Sequence, residues 1–581
     1  MTLRYFVIFA LFVSLGFARE YREIDFYDCS GNDIRQAQNK TNEELMKICD
    51  DTNGCIAFNT LGWLKRACPL MFINTNSNLY ILKSIDIPSG KEPKLVIWPK
   101  PNNYKNGNET IFIDLKNLKL EASNVNQDII DAFERFKVMN YDHSELTFNT
   151  PFINIFQVSI KNINCPLNED VDEEYHLSIP SSGNIITIES NCVYGYYHAL
   201  TTLSQLMQFA PSYHHYIIKQ SPWEIEDKPF YSFRSMLIDS SRHFIPVSTI
   251  KSILNTMSFY KYNILHWHIS DDESFPIEIS GIDISATAYS VYERYSIEDV
   301  QDIVEFARQR GIRVIPEFDV PGHASIFCKL MPSICPSSTC TTPLDPSKDE
   351  TFEFIEMMIK SISNVFPDAY FHIGGDEVKT DCWTKTASIA DWMNQKGFTV
   401  TDTYSYFVNK VYEIVKKYNR EAIYWEEVYN NKLNVPKGAI IETWLSNEKK
   451  AKSIVNDGYR VIYSTINEWY FPKLFTHWEA FYNTNPLDGI DEEAQQKMVL
   501  GGETCMWGET VDTSNIEMTI WPRGIAASER LWTSPSLLNV TEAKERIAYH
   551  RCLLNWKGIP ASPSFADGRS NPVGPSTCFI Q

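Results

Sequence analysis

Positive charge is scarce in this chain: 53 lysines and arginines stand against 73 aspartates and glutamates, a formal net charge of -20 over 581 residues. A protein that acidic repels phosphate unless a strong basic patch offsets it. The longest basic clusters, Lys416-Lys417 and Lys449-Lys450, are pairs that read as solvated helix faces, so nucleic acid and anionic membrane surfaces are excluded as partners. Long apolar runs are scarce too. The one that comes nearest, Tyr5 to Phe17, is interrupted by Ser14 and falls short of the roughly 20 residues that a membrane helix needs. It follows Arg4 and leads through Gly16-Phe17-Ala18 to the polar Arg19-Glu20. That pattern reads as a secretory signal peptide over residues 1–18 rather than an uncleaved anchor, and no later stretch predicts a membrane span. Tight Cys-x-x-Cys pairs of the structural zinc type and a glycine-rich phosphate turn are also lacking.

What is present is globular. A hydrophobic share of 44% with 22% charged residues argues against disorder, collagen and coiled coil, and the length suits three or four domains. Aromatic residues reach 13%, an excess that suits either stacked cores or a pocket gripping flat apolar faces. In an oxidising lumen most of the 13 cysteines should pair. The candidates fall into local groups: Cys29, Cys49, Cys55 and Cys68; Cys165 and Cys192; Cys328, Cys335, Cys340 and Cys382; Cys552 and Cys578. Cys505 is left over and reads as a buried free thiol. Sequons at Asn39, Asn108 and Asn539 fit the same secretory route.

Residues 24–84 make a module too short for a large core and dependent on its disulfides. Its run from Cys55 to Lys65 faintly resembles a PAN/apple-like module; a processed pro-segment or spacer is the alternative. A linker, Ile87 to Pro93, leads to an α+β region over 92–228. There, strand-like runs at Thr110–Asp114, Phe152–Val158 and Asn184–Ile188 accompany a helix from Val193 to Phe209, with Leu200, Leu203 and Leu206 on one stripe. No catalytic constellation is visible in that region.

Residues 229–581 repeat one theme, an apolar β-like run that ends in residues capable of chemistry. In order, the ends carry Asp239 and Arg242; His268 and Asp271; Glu317 and Asp319; Asp376 and Glu377; Trp425 and Glu426; Glu442 and Trp444; Tyr470; and, after a run ending at Leu500, Glu503, Trp507 and Glu509. Eight such runs with helical segments between them predict a (β/α)8 barrel with its site at the C-terminal mouth. A doubly wound sheet is the weaker alternative, since its only candidate phosphate turn, Gly374-Gly375, is followed by two acids. Carboxylates with three tryptophans suit a sugar, whose hydroxyls bind acids and whose C–H faces lie against rings. Asp376 and Glu377 are neighbours, so in extended backbone they point to opposite sides. They are badly placed as the facing pair of an ordinary retaining glycosidase, and separate roles fit better; the alternative is a helix cap with a first-turn acid. A metal centre on His266 and His268, with Asp271, His323 and Asp376 as further ligands, is a weaker reading, and no metal or cofactor is expected.

Five blocks together resemble the β-N-acetylhexosaminidases of glycoside hydrolase family 20, and within it the eukaryotic lysosomal type. They are Asp239 to His243, His266 to Asp272, Glu317 to His323, His372 to Val378, and Met506 to Glu509. The resemblance covers the whole third region, covers the second more loosely, and stops before the cysteine-rich start. It implies a retaining mechanism in which the substrate's own 2-acetamido oxygen attacks the anomeric carbon and forms an oxazolinium-type intermediate. Carried over, Glu377 is the general acid and then base, Asp376 holds the acetamido nitrogen, and Tyr470 binds the acetamido carbonyl. Asp271 and His323 support the acid; Arg242 and Glu509 bind ring hydroxyls; Trp425, Trp444 and Trp507 enclose the acetamido group and ring. The substrates implied are glycoconjugate or chitooligosaccharide ends, with a homodimer in a lysosome-like or extracellular setting. One departure stands out: Phe471-Pro472 follows the tyrosine where the family often carries Asp or Asn. The alternative from another class is a catalytically silent carbohydrate-binding protein.

Overall fold

A computed structural model of the chain describes residues 21–564 apart from 25–26, 30–32, 53–54, 56, 62, 66–70, 74–78, 83–92, 141–152, 211–214 and 446–448. The signal peptide, most of the linker, Cys68 and Cys578 lie outside the described residues, as does the side chain of Cys29. Residues up to Gly90 belong to one compact unit; Lys91–Gln208 and His215–Asn571 make up another.

In the first unit, strands Tyr21–Ile24, Asp33–Gln36, Ala57–Asn59, Trp63–Lys65 and Leu79–Leu82 form one sheet. The helix Asn42–Asp50 begins at a capping box between Thr41 and Glu44, which satisfies two of its free backbone donors. Leu45, Phe58 and Leu64 gather around Cys49 and Cys55, which are joined as a disulfide.

In the second unit, residues 103–227 carry a seven-stranded sheet that includes Asn103–Ile113, Ile155–Asn162, Tyr175–Ile179, Ile185–Cys192 and His215–Asp227. The helix Val193–Leu206 ends earlier than its apolar stripe suggests, because the chain turns extended at Met207. Buried ion pairs tie this sheet to the barrel. Glu173 holds Arg234 at 2.5 Å and His198 at 2.8 Å, and Lys261 meets Asp227 at 3.1 Å.

Eight parallel strands close the barrel: β1 (Phe233–Asp239), β2 (Ile264–His268), β3 (Arg313–Glu317), β4 (Tyr370–His372), β5 (Glu421–Trp425), β6 (Ile440–Thr443), β7 (Arg460–Tyr463) and β8 (Val499–Met506). β8 pairs with β1 from Phe233 opposite Gly501 to Ile238 opposite Met506. It runs six residues past Leu500, where its apolar pattern ends, so Glu503 lies within the strand rather than beyond it. Residues two apart on a strand share a side, and the interior therefore builds in layers. The floor is apolar: Phe233, Ile264, Ile315, Tyr370, Ile423, Ile440 and Ile462 form one cluster. Two residues further along, the same strands offer Ser235, His266, Glu317, His372 and Glu442, all fully or nearly fully buried, and Glu503 joins them from β8. Above that polar layer lie Leu237, Trp425, Tyr470 and Cys505, with Trp444 and Trp507 packed against them.

Candidate active site

The turn after β4 positions the two adjacent acids. Gly374 and Gly375 have φ of 69° and 83°, in the left-handed region that glycine tolerates without cost. A Cβ on Gly374 would collide with the Asp319 side chain. That carboxylate accepts the Gly375 N–H at 2.9 Å and pins the turn. The chain then holds Glu377 at φ 47° and, on the facing loop, His323 at φ 46°, a strain that surrounding structure must sustain. The neighbours end in different environments. Asp376 is 13% exposed and Glu377 55%. Asp376 Oδ1 is buried with no hydrogen-bond partner among the described residues. Burial and the nearby Asp376 push Asp319 well above the ordinary carboxyl range, and burial raises Asp376 as well.

His323 joins the acids to the barrel. Its Nε2 lies 3.5 Å from Glu377 and 3.8 Å from Asp376, while Nδ1 bonds Asp271 at 3.2 Å. Burial opposes a charged ring, but Asp271, Glu377, Asp319 and Asp376 outweigh it and hold His323 protonated. His323 in turn holds Glu377 below its ordinary value. Arg242 reaches Asp239 at 2.8 Å, Asp271 at 2.5 Å and Glu273 at 3.5 Å, and lies 5.2 Å from the Trp507 ring centroid. Despite burial, Asp239, Asp271 and Glu509 keep its guanidinium charged. Glu509 itself is exposed.

The rings form a cage. Tyr470 stacks against Trp444 at 6.5 Å and 15°, and lies 6.3 Å from Trp507, which is 5.9 Å from Trp425. Trp425 Nε1 donates to Glu317 at 2.8 Å, and Trp444 Nε1 to Glu427 at 2.8 Å. Sequence reading overlooked Glu427 and Glu273. The signal for Glu427 was its place two residues after Trp425, at the end of β5. Burial and Asp376 push the Glu427 carboxyl up to about 8. Phe471 is buried, stacked on Phe481 at 5.2 Å, while Leu474 and Phe475 beyond Pro472 are 68% and 98% exposed.

All ten residues singled out for chemistry or binding thus come from barrel strand ends and the loops after them. The arrangement combines a half-exposed acid beside a protonated imidazole, a buried carboxylate with a vacant lone pair, and a ring-walled cavity mouth with a charged guanidinium. It can move a proton at one point and stabilise a cation at another. Two groups near the mouth could also hold a cation, Asp271 with Asp272 and His323, and Asp319 with His323 and Asp376. The proposed pair His266 and His268 does face inward, but His268 has both ring nitrogens bonded to carboxylates, Glu317 at 2.6 Å and Asp271 at 2.9 Å.

A model of the catalytic domain of glycosyl hydrolase family 20 matches residues 231–535, and one described as beta-acetyl hexosaminidase like matches 97–206. The chain belongs to glycosyl hydrolase family 20. This glycoside hydrolase is 38% identical over 538 residues to beta-hexosaminidase 1 of Arabidopsis thaliana, covering 88% of this chain and 98% of the plant protein. It is 37% identical over 415 residues to the human beta-hexosaminidase subunit beta, covering 69% and 73%. Among solved structures, a Flavobacterium johnsoniae chitobiase matches with a TM-score of 0.72 at 27% identity, covering 80% of this chain and 73% of that one. Among the described residues no helix of the hydrolase is long and apolar enough to cross a membrane.

Among the described residues the family 20 enzyme carries the disulfides Cys49–Cys55, Cys165–Cys192, Cys328–Cys335 and Cys340–Cys382, and Cys552 is also disulfide-bonded. Cys505 is free and buried. Asn39, Asn108 and Asn539 are exposed, and the Asn539 side-chain oxygen caps the helix Val540–Trp556.

Proposed function

We propose that this hydrolase removes terminal non-reducing N-acetylhexosamine residues from glycoconjugate or chitooligosaccharide ends by a retaining, substrate-assisted mechanism. The observation that carries the reading is the vacant, buried Oδ1 of Asp376. A buried carboxylate oxygen without a donor is costly, and the acetamido N–H of a bound sugar supplies one. Asp376 then orients the acetamido carbonyl oxygen toward the anomeric carbon. As the C–O bond forms, the glycosidic bond breaks and positive charge develops on the oxazolinium ring, next to the Asp376 carboxylate. Glu377 gives its proton to the departing oxygen. It afterwards takes one from the water that attacks the anomeric carbon and opens the ring, with net retention.

In the free enzyme Glu377 is an anion beside His323. A sugar filling the mouth excludes water from its exposed half, burial raises its proton affinity, and it becomes the acid. Tyr470 bonds the acetamido carbonyl, Arg242 and Glu509 hold ring hydroxyls, and the three tryptophans wall the group in. A non-catalytic sugar-binding role would leave the acid, its imidazole partner and the vacant carboxylate without use.

An oxidising, acidic compartment or the extracellular space suits the disulfides, the exposed sequons and an acid that must be protonated. A homodimer completes the reading, and light scattering on the purified chain tests it. The deciding assay for function is release of aryl β-N-acetylglucosaminide chromophore beside the plain β-glucoside, with a chelator present. Turnover of the acetamido sugar alone, unaffected by chelator, is expected; equal turnover of the glucoside would show that the acetamido group is not the nucleophile.

A further inference from the structure

The acid-supporting pair does not end at Asp271. Asp271 Oδ2 bonds His268 Nε2 at 2.9 Å, and His268 Nδ1 bonds Glu317 Oε2 at 2.6 Å. The same Glu317 oxygen lies 3.1 Å from His266 Nε2, and His266 Nδ1 bonds Glu503 at 2.8 Å. The result is an alternation of carboxylate and imidazole from β8 through β2 and β3 to the loop after β4: Glu503, His266, Glu317, His268, Asp271, His323, Glu377. Both nitrogens of His268 face carboxylate oxygens, so both donate and the ring is a cation. His372 also meets this alternation, its Nδ1 lying 3.1 Å from Glu317 Oε1. Its Nδ1 accepts the Gly374 N–H at 3.0 Å, and burial keeps the ring neutral.

Glu317 is the branch point. Its other oxygen, Oε1, accepts from Trp425 Nε1 at 2.8 Å, so one carboxylate without solvent exposure holds both a wall of the sugar cage and the arm that ends on the acid. It cannot touch the substrate. We propose that Glu317 is a positioning residue for the reaction: through His268, Asp271 and His323 it fixes the imidazole that serves Glu377, and through Trp425 it fixes the cage. Burial raises the proton affinity of Glu317, but His268, with His266 beside it, outweighs it and keeps the hub ionised. A neutral hub leaves His268 with one anionic partner, and the alternation is broken.

The inference rests on Glu377 being the acid, and the test separates the two. Aryl N-acetyl-β-glucosaminides with dinitrophenyl and phenyl leaving groups differ in how much they need the proton. Glu377→Gln is the reference and should slow the phenyl glycoside far more than the dinitrophenyl one. Glu317→Gln, which keeps an acceptor for Trp425, should lower kcat on the phenyl glycoside about tenfold more than on the dinitrophenyl one, with KM nearly unchanged. His268→Gln should give the same pattern. It carries the comparison alone if near-UV circular dichroism shows that Glu317→Gln does not fold. A loss equal for both leaving groups in the Glu317 and His268 variants, with Glu377→Gln discriminating, overturns the link and leaves the acid in place. A Glu377→Gln variant that does not discriminate overturns both.

Discussion

Asp376→Asn changes almost nothing in shape and removes one charge from a site where charge is worth much. Asp376 is 13% exposed, so the carboxylate meets the oxazolinium in a setting between surface and interior. Two unit charges about 3 Å apart at an effective dielectric near 20 attract by roughly 5 kcal/mol. Asparagine keeps an acceptor for the acetamido N–H, so ground-state binding is nearly retained and the loss falls on the transition state. At about 1.4 kcal/mol per decade, with part of the interaction screened by residual water, kcat on aryl β-N-acetylglucosaminide should fall between about a hundredfold and a few thousandfold, with KM changing little. Steady-state release of the aryl group near pH 5 measures both. A fall in kcat of less than about tenfold, or a rise in KM at constant kcat, would refute the assignment, because either places the carboxylate's contribution in binding rather than in stabilising developing charge. The variant should also reshape the pH profile. Burial raises Asp376 above its ordinary value, so ionising it sets the acid limb, and that limb should vanish with asparagine.

The remaining predictions reach outward from this carboxylate. Because His323 lowers Glu377 from its ordinary value of 4.5 in the free enzyme and the acid must be protonated, wild-type kcat/KM should already be falling with rising pH at that ordinary value and approach tenfold per unit above it; a plateau to neutrality would contradict it. Gly374→Ala puts a Cβ against Asp319 at φ 69° and should cost about 1–3 kcal/mol, read as a lower thermal midpoint, with the Asp376 turn displaced and activity reduced. Removing Cys340–Cys382, which closes a separation of 42 residues beside the Glu377 turn, should cost about 4 kcal/mol by loop entropy, and the double serine variant should melt earlier. Pro472 has no side-chain donor, which leaves the ring hydroxyls to Arg242 and Glu509 alone, and a site with fewer hydroxyl readers discriminates less. Initial rates should therefore show gluco and galacto acetamido sugars within about tenfold in kcat/KM.

The barrel was legible because its strands are short apolar runs, each closed by a residue that an apolar interior would not hold. Those closing residues located the mouth, and adjacency alone made Asp376 and Glu377 poor candidates for a facing pair. The limits lie where partners are distant in sequence. His266 and Glu503 are 237 positions apart, so composition and spacing at either one cannot show that each is the other's counterion, and the apolar signal of β8 stops at Leu500 although the ladder continues. Disulfide connectivity within the four-cysteine groups is hidden for a different reason, since spacing alone does not choose among their three possible pairings.

The tie between the accessory sheet and the barrel is a sharper case, because nothing in the sequence of either region announces it. Arg234, on β1, and Glu173 meet at 2.5 Å with side chains 0% and 3% exposed. Burial works against an ionised Glu173, but Arg234 and His198 push its carboxyl down to about 2. Since the ordinary value is 4.5, the stabilisation is fully present above about pH 4.5 and is lost as pH falls toward 2, a difference of about 3 kcal/mol. Glu173→Gln should therefore lower the thermal midpoint at pH 5 to 7, with the gap to wild type closing as pH approaches 2. A gap independent of pH would mean that packing rather than charge joins the two regions. With the pair intact, the junction keeps its full stability down to the lower end of an acidic compartment's range, where protonating Glu377 demands that the enzyme work.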